Sequence, residues 1–307
     1  MRKNSFLGFI VIALFASCEN FSHKGQGNDI PTAGELTIAF DYGDSMMVTQ
    51  QLELFHAAYP KAKIQPLFAP ENTILRWLEK DSVKAVWMHR KFTPAEKEML
   101  ESRKIKVREV LCAKSSIAVV VNKSTGIDRI ATAQLCAILK DSFNDWKGIG
   151  ASEPLVPVFD QPGSSSYLYF RQHWLQGKPM GKKVATLQSP GQMLQWVTTH
   201  PNAMGFVSLN WLSDNGDTLS RSLQRKVRVL QVQGSKDEEY HYPFQSQIYT
   251  GQYPFVQDVM LYDLQGYSGL GQGLQAWVCS QPGQILVKKC GLLPAVPMAR
   301  AVEIITK

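Results

Sequence analysis

The chain has 307 residues, of which 44% are hydrophobic and 19% are charged. This composition supplies enough apolar side chains for one large or two ordinary domains, and it excludes a disordered chain or a fibrous repeat. Lysine and arginine exceed aspartate and glutamate, which gives a formal net charge of +7. The charges are scattered without a run of five of one sign, so an arm that binds nucleic acid is not expected.

The N-terminus predicts export and lipid attachment. Arg2 and Lys3 precede an apolar stretch, residues 6–16, which as a helix would rise about 16 Å and is too short for the ~30 Å hydrocarbon core of a bilayer. Small residues stand directly before Cys18, as in a bacterial lipobox. Residues 1–17 are therefore predicted to be a lipoprotein signal peptide, after which Cys18 is acylated. An ordinary secretion signal is the alternative.

A polar segment without apolar periodicity follows the cysteine. Residues 18–34 are rich in Gly, Asn and Ser, and this composition is typical of a flexible tether. No later stretch approaches eighteen consecutive apolar residues, so the sequence predicts no further membrane-spanning helix.

From Gly34 onward, short β-rich runs alternate with helical patterns. Candidate helices follow the capping residues Thr93, Thr132 and Ser189, and another helix ends before Gly291. This alternation predicts an α/β protein in two lobes, with sheets covered on both faces. The candidate strands are Leu36–Phe40, Lys63–Phe68, Lys84–Met88, Val107–Cys112, Ile117–Val121, Leu155–Phe159, Lys183–Leu187, Ala203–Ser208, Val227–Val232 and Val256–Tyr262.

One strand–turn–helix segment carries the clearest chemical signal. The strand Leu155–Phe159 runs into a Pro-Gly turn, and Ser164, Ser165 and Ser166 then open a helix with aromatic residues at helical spacing. Free backbone N–H groups, the positive end of the helix dipole and neutral hydroxyl donors converge there, which favours a small oxyanion. The alternative is that one serine caps the helix and the others are solvated.

Other motifs are weak. The run Gly269–Gly273 lacks the spacing and the acidic residue of a dinucleotide site, and the six histidines show no metal-ligand spacing. The sequence therefore predicts no cofactor and no metal. No nucleophile and base can be named, which argues against an enzyme. Whether Cys279 and Cys290 form a disulfide stays open.

Several short segments, in their order and spacing, are similar to those of one transport family. They are Gly34–Ala39, Tyr59–Ile64, Arg90–Glu96, Ile117–Ser124, Trp146–Gly150, Pro201–Phe206, Gly251–Phe255, Gly283–Gln284 and Gly291–Pro294. Together they resemble the substrate-binding proteins of ABC phosphate importers, especially the lipoprotein type common in Bacteroidetes.

The resemblance implies a class II periplasmic-binding-protein fold with crossover strands as a hinge. One lobe would comprise residues 35–114 with 245–307, and the other residues 115–244. The protein would be a lipid-anchored monomer on the periplasmic side of the cell envelope or on the outer membrane. Its partners would be inorganic phosphate or a similar oxyanion and an ABC permease, with no nucleic acid.

The resemblance also implies a set of site residues. Ser164, Ser165 and Ser166 would bind the anion from the second lobe. From the first lobe, Asp44 and Ser45 match a turn after the first strand, and Arg90 would pair with two oxyanion oxygens. Asp160 would orient the serine turn or, like Asp44, accept a proton from phosphate.

Two alternatives remain at this stage. The chain departs from the better-known family pattern at Phe159 and Gln161, where that pattern has Arg and Asp, and at His89, where it has Ser. These departures are compatible with an extracytoplasmic sensor or scaffold that binds no anion. A receptor for another oxyanion, molybdate or sulfate, is the second alternative.

Overall fold

The computed structural model describes residues 29–234 and 236–297. The first half of the chain forms β1 (Gly34–Asp41), α1 (Ser45–Ala58), β2 (Ala62–Ala69), α2 (Glu71–Glu79), β3 (Ala85–Met88), α3 (Pro94–Ser102), β4 (Arg108–Asn122), β5 (Arg129–Ile130), α4 (Thr132–Leu139), β6 (Val156–Phe159) and α5 (Ser165–Tyr169).

The second half begins with a π-helical continuation of α5, Phe170–Trp174. It then forms β7 (Ala185–Thr186), α6 (Pro190–Thr199), β8 (Ala203–Ser208), α7 (Thr218–Lys226), β9 (Val227–Val229), β10 (Gln231–Gln233), β11 (Tyr240–His241), α8 (Gln245–Thr250), β12 (Val256–Asp263), α9 (Leu270–Cys279), α10 (Gln281–Lys289) and β13 (Leu293–Pro294).

One strand joins the two halves of the main sheet, whose strand order is β2-β1-β3-β12-β4-β8-β6-β7. β4 has 15 residues and therefore extends about 50 Å. Its first part, residues 108–116, pairs with β12, and residues 117–121 pair with β8. β4 thus passes from one lobe into the other, as a crossover strand must.

Both faces of the sheet are covered, which explains why its inner strands lack a polar face. In β1, Ile38 and Phe40 pack in one core cluster with Phe55 of α1, whereas Ala39 packs in another with Ile74 of α2. The same alternation holds in the second lobe, where residues 117, 119 and 121 of β4 face one cluster and residues 118 and 120 face the other.

The predicted α/β class and two-lobed architecture are confirmed, and most predicted strands lie within a residue or two of their observed bounds. The two predicted strands Val107–Cys112 and Ile117–Val121 form a single strand, β4. The polar pair Ser115-Ser116, which separates them in the sequence, lies inside β4. The lobe limits expected from the family resemblance stay a prediction.

The last part of the predicted tether contacts the folded body. Asp29 accepts hydrogen bonds from Gln265 Nε2 at 2.6 Å, Tyr267 Oη at 2.7 Å and the backbone N–H of Leu270 at 2.9 Å. Residues from Asp29 onward are therefore docked at the start of α9, because an acidic side chain can satisfy free N–H groups at a helix N-terminus. Within the described part of the chain, no helix has the length and apolarity needed to cross a membrane.

Candidate functional site

The first strand delivers an aspartate to the contact between the lobes. Asp41 ends β1, and its Oδ1 accepts hydrogen bonds from the Gly43 N–H at 2.8 Å and from Ser165 Oγ of α5 at 3.1 Å. Its Oδ2 is buried and has no hydrogen-bond partner among the described residues. Burial raises the pKa of Asp41. A buried acceptor without a donor is costly, so this oxygen marks a place where a ligand proton can be bound.

The serine turn forms as the sequence predicts. Ser164 caps α5 by accepting the Tyr167 N–H at 3.4 Å, and its hydroxyl lies 3.2 Å from that of Ser166. Ser165 projects toward the other lobe, where it meets Asp41 and lies 3.4 Å from His89 Nδ1. Capping therefore uses only Ser164, and the other two hydroxyls lie at the cleft.

A histidine–aspartate pair is buried beside these serines. His89 Nε2 lies 2.6 Å from Asp44 Oδ2, and both side chains are at most 1% exposed. Burial lowers the pKa of His89, but the carboxylates of Asp44 and Asp41 outweigh that effect and raise it to about 10. His89 is therefore an imidazolium at neutral pH. Its Nδ1–H points to Gln257 Oε1, 3.3 Å away, and to Ser165.

Asp44 is the central acceptor of this cluster. It accepts hydrogen bonds from Trp87 Nε1 at 2.8 Å in its own lobe, and from Asn210 Nδ2 at 2.6 Å and Ser208 Oγ at 3.4 Å across the cleft. With His89, these donors occupy both carboxylate oxygens. Asp44 thus joins the lobes and has little capacity left for a ligand.

Asp160 lies behind the serine turn. Ser166 Oγ donates to Asp160 Oδ1 at 3.4 Å, and the carboxyl group is 5% exposed. Burial raises its pKa to about 6, against the opposing effect of a hydrogen bond from Ser164. Asp160 therefore orients the serines at the edge of the cleft and titrates near neutral pH.

A small cavity of about 10 Å³ lies between the lobes, next to Asp41 and Asp44 but not lined by them. Its polar lining comes from Gly43, His89, Asp160, Ser165, Ser166, Ser208 and Gln257. That volume corresponds to roughly one water molecule. The lobes are therefore closed on each other, and a tetrahedral oxyanion could enter only if they moved apart.

The predicted cation Arg90 has other partners. Its Nε donates to Glu71 at 2.7 Å, and its terminal nitrogens donate to Glu96 at 2.7 and 2.8 Å and to the Lys91 carbonyl at 2.9 Å. All three guanidinium nitrogens are engaged within the first lobe. The structure thus does not bring Arg90 together with the serines, and its role as a ligand remains an untested prediction.

One further predicted site residue lies apart from the cavity. Ser45 begins α1 and lines a separate open groove of about 560 Å³ with Gln50, Asp214 and Lys289. Cys18 lies outside the described residues, so the structure adds nothing to the predicted lipid attachment.

Sequence reasoning overlooked several members of the cluster. Asp41 had a usable signal, because it ends a buried strand at the carboxyl edge of a sheet, where α/β proteins bind ligands. His89 was noted only as a departure from a family pattern. Gln257 and Asn210 gave no local signal, since long-range folding alone brings them to the cleft.

One other cluster has the residue types of a metal site. The side-chain ligand atoms of Asp237, Glu239 and His241 lie within 4.8 Å of one another. The 2.9 Å contact between His241 Nε2 and Asp237 is also an ordinary hydrogen bond, so the cluster alone does not establish a metal centre.

The fold and the buried cluster between the lobes define a binding protein of the periplasmic type. The chain belongs to the PBP superfamily, whose domain model matches residues 29–282. Among curated proteins it is similar to the phosphate-binding protein PstS of Bacillus subtilis (strain 168), with 23% identity over 265 residues. That match covers 83% of this chain and 81% of the relative.

Solved structures show the same fold. A putative phosphate ABC transporter substrate-binding protein with bound phosphate from Clostridium perfringens matches 85% of this chain and 100% of its own, with a TM-score of 0.71 and 16% identity. An ABC-type phosphate transport receptor from Vibrio cholerae has the same coverage, a TM-score of 0.63 and 17% identity. The predicted resemblance to this group is confirmed.

Proposed function

We propose that the protein is an extracytoplasmic receptor that captures phosphate between its lobes and delivers it to an ABC importer. The named relatives support the ligand class, because each is described as a phosphate-binding protein or a phosphate transport component. The observation that carries the proposal is the buried meeting of Ser165 with Asp41 and His89. At this contact, the hydroxyl donors of one lobe face the Asp41 carboxylate and the His89 imidazolium of the other lobe.

The cluster provides the donors that a phosphate requires. Ser165 and Ser166 supply hydroxyls, and the first backbone N–H groups of α5 have no helical acceptor. The imidazolium of His89 supplies positive charge and an Nδ1–H at the same place. On closure, these groups replace the hydration shell of the anion with fixed dipoles and one formal charge.

Asp41 is the proposed proton acceptor for phosphate. Hydrogen phosphate carries a P–OH that can donate to the unpartnered Oδ2 of Asp41, whereas sulfate has no proton at neutral pH and would be repelled. Asp44 suits this role less well, because donors occupy both of its oxygens. Asp160 bonds to Ser166 and is assigned to orienting the turn.

The remaining expectations belong to the same proposal. Cys18 would carry the lipid anchor and place the receptor in the cell envelope, as a monomer and not as an enzyme. The lobes would divide at residues 114/115 and 244/245, with β4 as one hinge strand. For Arg90 the proposal differs from the sequence-based expectation of an anion ligand: it would stabilise the first lobe, because its nitrogens already bond to Glu71 and Glu96.

A ligand titration tests the proposal. The chain from Glu19 onward is freed of bound ligand by unfolding and refolding, and its thermal unfolding is followed with phosphate, sulfate or molybdate at matched ionic strength. A ligand at 100 times its dissociation constant should raise the free energy of unfolding by about 2.7 kcal/mol. We expect this shift for phosphate alone. A shift for sulfate or molybdate alone would instead support a receptor for another oxyanion.

One observation favours a second candidate function. The lobes are already joined by direct bonds: Asp44 to Ser208 and Asn210, and Ser165 to Asp41. A sensor or scaffold that stays closed without an anion would use such bonds. No shift with any of the three anions, in a protein shown to be refolded, would support this candidate over the receptor.

A further inference from the structure

A β-bulge in β4 positions a cysteine outside the regular strand pairing. Leu111 pairs with Met260 and Ala113 pairs with Val259, so Cys112 between them is the extra residue on the bulged strand. Its carbonyl accepts a hydrogen bond from Gln284 Nε2 at 3.0 Å. Its thiol is fully buried in the core cluster that contains residues of α9 and α10.

A second thiol from a distant part of the sequence lies beside this bulge. Cys279 is the last residue of α9, and its Sγ lies 4.0 Å from the Leu111 carbonyl oxygen. The Cys112 Sγ lies 3.8 Å from the Val110 carbonyl oxygen, on the residue before Leu111, and the two thiols are close enough that each affects the pKa of the other. Cys279 therefore lies beside the bulged segment of β4 that carries Cys112. Cys279 is partly exposed, so a reagent in solution can reach one thiol of the pair.

We propose that Cys112 and Cys279 form a redox-sensitive pair that a disulfide in solution, carried by a small molecule or a protein, converts into an internal disulfide. The reaction is a thiol–disulfide exchange in two steps. The Cys279 thiolate first attacks the external disulfide and releases one external thiol. Cys112 then loses its proton and attacks the Cys279 sulfur, which releases the second external thiol. Two electrons and two protons pass to the external disulfide overall.

The surroundings of the two thiols fix the order of these steps. The nearby thiol of Cys112 lowers the pKa of Cys279, whereas burial raises the pKa of Cys112 well above its usual value. The partly exposed Cys279 is thus the attacking group and the buried Cys112 the resolving group. The bond would tie α9 to the first-lobe part of β4 and would not cross the cleft. Ligand binding should therefore be unchanged, while the lobe becomes more stable.

Peptide mapping tests the pair. The full chain with Cys18→Ser is reduced, incubated with oxidised glutathione, alkylated and digested without reductant. We expect a peptide pair joined through Cys112 and Cys279, with Cys136 and Cys290 alkylated. The Tm should rise by roughly 5 °C and return after reduction. A Cys279–Cys290 link would overturn the proposal. Alkylation of both Cys112 and Cys279, under conditions in which oxidised glutathione does react with other thiols, would also overturn it.

Three variants separate the steps. Cys112→Ala should stop the reaction at a glutathione adduct on Cys279, and Cys279→Ser should leave Cys112 unmodified. Cys290→Ser is the matched control and should still form the link. Circular dichroism confirms that each variant is folded, and a Cys112→Ala protein that forms no adduct would contradict the order of attack. Phosphate titration of the reduced and oxidised protein keeps this result separate from the proposed receptor function, because neither thiol lies at the cleft.

Discussion

At the scale of single residues, the cleft is organised by one buried cation among carboxylates. His89 contacts Asp44 directly and lies near Asp41, so its charge offsets part of theirs. In the proposed receptor, the histidine that departs from the family pattern would supply the positive charge that the sequence analysis assigned to Arg90. This exchange is physically reasonable, because an imidazolium also donates two directed hydrogen bonds.

Stability should depend on the protonation of His89. The folded protein holds its pKa at about 10, above the value of about 6.5 expected in the unfolded chain. This contribution is fully present below pH 6.5 and is lost as pH rises through 10. Its slope is at most about 1.4 kcal/mol per pH unit. Urea unfolding between pH 6.5 and 10 should show the decline, and His89→Gln should flatten it. His200→Gln, at a partly exposed histidine far from the cleft carboxylates, should leave the slope unchanged; an equal flattening there would contradict the assignment.

The selectivity of the cleft should depend on Asp41. Asp41→Asn replaces an acceptor with an amide that can donate, so the P–OH of phosphate loses its partner and sulfate meets less repulsion. We expect phosphate affinity to fall about 10- to 100-fold, the range for a hydrogen bond to a charged group, and the preference over sulfate to shrink. Isothermal titration with both anions measures this. Asp145→Asn, at an exposed position in the second lobe, is the control. Unchanged selectivity in Asp41→Asn would remove Asp41 from the site.

At the scale of elements, Arg90 joins two helices of the first lobe. It bonds to Glu71 in the first turn of α2 and to Glu96 in the capping box of α3. The side chain of Glu71 is 3% exposed, so the arginine neutralises a carboxylate that solvent barely reaches. Burial raises the pKa of Glu71, and the charge of Arg90 acts in the opposite direction.

Arg90→Ala should therefore weaken the fold. We expect a loss of about 2 kcal/mol, below the usual cost of breaking a fully buried pair because Arg90 is partly exposed. Adding Glu71→Gln should restore part of the loss, since it removes the unpaired charge. Chemical denaturation measures both, and Arg76→Ala in α2 is the exposed-arginine control. The phosphate affinity of the double variant Arg90→Ala/Glu71→Gln then tests whether Arg90 contacts the anion. A loss of binding in this partly restabilised variant would place Arg90 in the site.

At the scale of the whole molecule, direct bonds hold the lobes together. The Gly43 carbonyl accepts from Asn210 Nδ2 at 3.0 Å and from Trp211 Nε1 at 2.9 Å, and Asn210 also donates to Asp44. On the far side of the cleft, the Asn72 N–H donates to the Gly163 carbonyl at 3.1 Å. Closure is thus stabilised on both sides by protein groups alone.

Removing the central amide should favour the open form. Asn210→Ala deletes donors to both Gly43 and Asp44, and at about 1 kcal/mol for each bond the open-to-closed ratio should rise roughly tenfold or more. Small-angle scattering without phosphate should show a larger radius of gyration, and saturating phosphate should reverse it. Asn122→Ala is the matched control, since the hydrogen bonds of that amide, to Val197, Thr198 and Ser124, stay within its own lobe. A similar expansion in the control would show general loosening and not release of the cleft.

The sequence by itself determined the elements and the class of fold. The alternation of strand and helix patterns predicted sheets covered on both faces, and the serines after the Pro-Gly turn opened a helix as predicted, because both depend on local periodicity and backbone geometry. Only the tertiary structure decided which side chains meet. Gln257, Asn210 and Cys279 contact partners more than 160 residues away, and Arg90 was drawn to nearby carboxylates. Such pairings depend on burial and on competition between charges in three dimensions, which no local pattern records.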